Sequence, residues 1–79
     1  MTTSTESLYL RDLGGLLKEI ALRAKKEALS APEEDRGFAL GRLMAMHEVI
    51  SLMQQQADAF GLDVRDIGLE GISPERDLV

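Results

Sequence analysis

Residues 31 to 60 carry two interleaved apolar stripes, and a helix built that way cannot be covered by one neighbour. The first stripe, Ala39, Leu43, Met46, Ile50, Met53, Ala57 and Phe60, steps by three and four residues without a miss. The second, Phe38, Ala45, Val49, Leu52 and Ala59, lies on an adjoining face. A surface helix normally turns an apolar arc of roughly 100° toward one core, and two stripes side by side exceed that arc. The expectation is assembly, with one stripe closing the chain's own fold and the other meeting a partner.

Size points the same way. A chain of 79 residues is at most one domain, and a core of that size rarely supplies more than ~3–5 kcal/mol without a staple. There is no cysteine, which excludes disulfides and thiolate metal sites and leaves association between subunits as the available staple. The opening Met-Thr-Thr-Ser-Thr-Glu-Ser lacks the basic start and apolar run of a secretory signal, and no stretch approaches the ~18 apolar residues of a membrane span. The expected location is the cytoplasm.

The net charge of −5 divides unevenly, about +1 over residues 1–29 and −3 over each of 30–60 and 61–79. With one Tyr, two Phe and no Trp, the chain is a poor candidate for a phosphate-backbone binder, which needs clustered Lys and Arg.

Thr3 and Glu6 have capping-box spacing and predict a first helix over about 6–29, with residues 1–5 disordered. Its apolar repeat runs Leu10, Leu13, Leu17, Ile20, Ala24, and Leu16 widens it; Leu8, Leu22 and Leu29 fall on another face. Gly14 and Gly15 interrupt good helix formers at ~2 kcal/mol together, which close approach of a neighbouring helix backbone would offset.

Ser30, Ala31, Pro32 and Glu33 read as a second capping box, opening a helix over about 31–60. Glu33, Glu34 and Asp35 then sit at its positive pole. So short a link forces the two helices to be antiparallel neighbours. Gly61 suits the left-handed position after Phe60, with Leu62 folding back on the last turn. In the remaining extension, 63–79, Asp63 is placed to cap a short turn through Ile67. Ile67, Leu69 and Ile72 are too apolar for a solvated tail, so Leu62 to Ile72 should pack on a bundle while 73–79 fray.

Candidate sites are few. Gly37, Gly41 and Ala45 form a line of small residues on which another helix could approach closely. His47 beside Glu48 fails as a metal pair, because adjacent residues diverge by about 100° on a helix. Arg36 and Arg42 border the apolar seam but are too few to hold an anionic substrate, and Gln54, Gln55 and Gln56 read as polar-face helix formers. Met44, Met46 and Met53 suit either a core or a surface that repacks around varied partners.

These residues predict an all-α, two-helix antiparallel hairpin with a short C-terminal extension, dimerising into a four-helix bundle. Its expected core is Leu10, Leu13, Leu17, Ile20, Leu43, Met46, Ile50, Met53 and Phe60, and its expected dimer or partner interface is Phe38, Gly41, Ala45, Val49 and Leu52. The expected function is non-enzymatic: a small protein-interaction module, an adaptor, regulator or assembly factor, that binds itself and a second protein through helix 2 or the extension. No catalytic, metal or cofactor signature appears. The alternative is a nucleic-acid-associated regulator using Arg11, Lys18 and Lys25, seven residues apart along helix 1.

Overall fold

A computed structural model describes residues 4–79, about four-fifths of it helical, with no strand among the described residues. Two long helices, α1 (Thr5–Ser30) and α2 (Arg36–Ala59), form the hairpin. The extension adds a 3₁₀ turn (Val64–Ile67) and a short α3 (Pro74–Asp77). The molecule measures 51 × 20 × 16 Å.

Helix α1 begins at Thr5, one residue before the expected start, because Ser4 caps it, its hydroxyl accepting from the Ser7 N–H at 3.0 Å. Thr3, the expected cap, lies outside the described residues, and Thr5 is already helical rather than part of a disordered lead. The line along which α1 packs is also displaced. Gly14, Ala21 and Ala24 are buried, and Leu10, Leu17 and Ala28 pack against the core beside them, whereas Leu13 and Ile20 are only half-buried. Closest approach follows the smallest side chains, because they let backbones come near; the bulky Leu13 and Ile20 are turned to the flank.

On α2 the first stripe faces α1. Ala39, Leu43, Ile50 and Ala57 are buried and Met46 and Met53 pack partly buried. Phe60 does not join them and is 76% exposed. The helix closes at Ala59 in a Schellman motif, Gly61 taking φ +70° while the Leu62 N–H reaches the Ala57 carbonyl at 2.8 Å and the Gly61 N–H that of Asp58 at 3.1 Å. That turn leaves Phe60 outside the packed line.

The start of α2 differs from the sequence expectation as well. Ser30 ends α1, donating its hydroxyl to the Lys26 carbonyl at 3.0 Å, so it caps nothing downstream. Ala31 and Pro32 are extended, a 3₁₀ turn over Glu33–Asp35 follows, and α2 begins at Arg36.

The extension packs to its end. Asp63 caps the 3₁₀ turn in a capping box closed by Asp66. Gly68, at φ +74°, reverses the chain, and the Leu69 N–H returns to the Val64 carbonyl at 2.9 Å. Ile67, Leu69, Ile72 and Leu78 are buried in one cluster with Ala21, Leu43, Ile50 and Ala57. Residues 73–79 therefore do not fray: Pro74 and Leu78 are fully covered, and the turn between them is held by Asp77 accepting from the Ser73 N–H at 2.9 Å. The extension supplies a third side to a core that two helices alone leave open.

Candidate functional site

The hairpin has two flanks, and polar contacts identify which is which. On one, Lys18 donates to the carbonyl of Glu70, Lys25 to the main-chain oxygen of Val79, and Gln54 of α2 to the carbonyl of Ile72 at 3.0 Å. Irregular backbone carries unpaired carbonyls, and these three side chains answer them. Gly14 completes the seat. A Cβ placed there would lie 1.6 Å from the Ile67 oxygen, and one on Gly68 would lie 2.1 Å from the Arg11 oxygen, so the turn rests directly on the α1 backbone. The close approach expected at Gly14 exists, but its partner is the 3₁₀ turn rather than a helix; Gly15 faces open space.

This flank corrects two expectations. Lys18 and Lys25 do not form a free basic line with Arg11, since both are bound to the extension and Arg11 alone of the three is exposed. Gln54 is not a polar-face filler but a part-buried clamp.

On the other flank Arg42 forms an ion pair with Glu27 across the hairpin. Tyr9, Leu13, Leu16 and Ile20 stand on the helical row of Glu27, at steps of three, four and seven; Phe38, Ala45, Val49 and Leu52 stand on the row of Arg42. The ion pair thus sets the two rows side by side. Phe38 is 76% exposed, Leu52 58% and Val49 37%, and Gly41 and Ala45 lie open between them. An added Cβ at Gly37 or Gly41 meets nothing within 4 Å. Between Phe38 and Leu52 the α2 row offers one polar side chain, Arg42, already bonded. At its far end an apolar groove of about 310 Å³ opens, lined by Leu10, Leu52, Met53, Gln56, Phe60 and Leu62 among others.

Elsewhere the polar groups form small, separate clusters. A shallow groove collects His47, Glu48, Ser51, Gln55 and Glu75. Ser51 follows His47 by one helical turn, and its buried hydroxyl has no hydrogen-bond partner among the described residues. Among the described residues no three His, Asp or Glu side chains converge as metal donors. Arg36 is exposed. The Arg76 guanidinium and the Ser73 N–H hold the Asp77 carboxyl down at about 2, and hydrogen bonds from the Arg65 N–H and side chain lower that of Asp63. Both carboxylates serve as turn caps. No described helix is long and apolar enough to cross a membrane. Comparison with protein families, with characterised proteins and with solved structures finds no match.

Proposed function

We infer that this chain is a small non-enzymatic interaction module, an adaptor, regulator or assembly factor of the cytoplasm, that works as a homodimer of helical hairpins in a four-helix bundle. The observation that carries the reading is the open flank of α2. A row from Phe38 to Leu52 stays exposed after the extension has taken its place, its Arg42 paired with Glu27 and Glu48 standing at its edge. Soluble chains seldom leave a contiguous apolar strip of this kind unless something binds it. Each helix of a four-helix bundle meets two neighbours, which accounts for the doubled stripe.

The experiment has two parts. Sedimentation equilibrium of the full chain at micromolar concentration should give twice the chain mass. Recovery of the tagged dimer from source lysate should bring a stoichiometric second protein. A cooperatively melting single chain with no recovered partner overturns the reading.

A further inference from the structure

We propose that the open flank is a self-complementary interface in which α2 packs antiparallel on α2 of a second copy, centred between Ala45 and Val49, each Phe38 entering the other copy's apolar groove. The proposal rests on the homodimer reading above and names the surface that makes it.

Spacing is the first argument. Phe38 lies nine residues before position 47, and Gln56, in the groove wall, lies nine residues after it. At 1.5 Å per residue both stand about 13 Å from that point. A two-fold axis there sets Phe38 opposite Gln56, Ala45 opposite Val49 and Arg42 opposite Leu52, and each contact occurs twice, as an isologous interface requires. A projecting aromatic meets a groove roomy enough for a ring, and a small residue meets a branched one. Parallel pairing would set Phe38 against Phe38 and leave both grooves empty.

Chemistry is the second. The α2 row offers extended chain a single donor, Arg42, already paired with Glu27, in contrast to the three that fasten the extension, so its occupant is one whose backbone hydrogen bonds are already internal: a helix. Arg42 fits that role without losing Glu27, because its methylene stem can cover the partner's Leu52 while the guanidinium stays paired.

Area is the third. From Phe38 to Phe60 is about 33 Å of helix, and two helices side by side are about 20 Å wide. The α1 row of Leu13, Leu16 and Ile20 shares that face. About 650 Å² per copy, or about 1,300 Å² for the pair, clears the ~1,000 Å² that a specific interface needs.

The test uses the full chain, sedimentation velocity over a concentration series, and circular dichroism to confirm helicity. Val49→Glu, on an exposed position, is expected to raise the dimer dissociation constant at least about 100-fold, because each dimer then buries two unpaired carboxylates. Met44→Glu and Leu29→Glu, exposed but off this flank, should leave it within about threefold. Adding Ala45→Lys to Val49→Glu sets opposite charges face to face twice across the axis and should recover at least about tenfold. A wild-type chain that stays single overturns both this proposal and the homodimer reading. A dimer indifferent to Val49→Glu keeps that reading and overturns the placement, and dissociation without recovery by Ala45→Lys overturns the antiparallel register.

Discussion

The flank covered by the extension and the flank left open are built from different materials, although both border the same two helices. The covered one combines glycine contacts with Lys18, Lys25 and Gln54, each donating to a carbonyl of irregular backbone. Along α2 the open one has Phe38, Ala45, Val49 and Leu52 with a neutralised Arg42. A segment without regular structure brings unsatisfied carbonyls with it, so the surface that receives it must supply donors. A helix brings none, and the surface that receives it can be wholly apolar. Donor content along a flank, rather than hydrophobicity alone, separates a seat for a loop from a seat for a helix.

The sharpest way to break the covered side is at its closest contact. Gly14→Ala drives a methyl into the Ile67 carbonyl, where neither backbone has room to give, and should cost about 3 kcal/mol or more, a large part of the stability of so small a domain. Thermal and urea unfolding measure it directly. A loss below about 1 kcal/mol would mean that the turn does not rest on α1.

Next comes the side chain that the turn delivers. Leu69 is fully buried between the two helices, so Leu69→Ala should remove about 3 kcal/mol through lost burial and the cavity left behind. If the extension were a loosely held tail, the same change would be nearly silent in the urea midpoint.

How much of this was legible in the sequence depends on how local the rule is. The end of α2 was readable because Gly61 and Leu62 act on the turn directly before them, and the Asp63 cap was readable for the same reason. The start of α2 was not, because the Ser30 hydroxyl had a competing acceptor one turn back at Lys26. The packing line of α1 was hidden more deeply. Gly14 is buried by the Ile67 carbonyl, more than fifty residues away, and no periodicity within one helix announces such a partner. Lys18, Lys25 and Gln54 look like solvated surface until the carbonyls they hold are in place. The exposed second stripe of α2, by contrast, was visible as surplus, since nothing else in the chain matched it.

Two substitutions of about 1 kcal/mol sharpen the contrast from opposite sides. Gln54→Ala leaves the Ile72 carbonyl without its donor and should cost about 1 kcal/mol, with faster amide exchange confined to the extension. Gly15→Ala should do the reverse. It shares α1 with Gly14 but its added methyl meets open space, so helix propensity alone governs it and stability should rise by about 0.5–1 kcal/mol. Opposite signs at adjacent glycines are a stringent check, since any general intolerance of α1 to substitution would lower both.

The smallest expected effect is acid release of the turn caps. Asp77 and Asp63 have carboxyl groups held below their ordinary value of 3.8 in the folded chain, Asp77 down to about 2. A lowered folded pKa means that the stabilising contribution is complete above about pH 4 and disappears as pH falls through the folded value. Both caps are therefore intact at neutral pH and are lost only as pH falls below the ordinary carboxylate range, that of Asp77 as pH falls through about 2. Because the two groups are exposed, the consequence is local: amide exchange at Ser73 and Arg65, whose N–H groups these carboxylates accept, should accelerate in that window. The apolar contacts of Leu69 and Leu78 do not titrate, so the extension as a whole should stay seated while its caps loosen. Loss of the Leu69 and Leu78 contacts over the same interval, seen by their methyl resonances, would show that the covered flank is held by its caps rather than by its core.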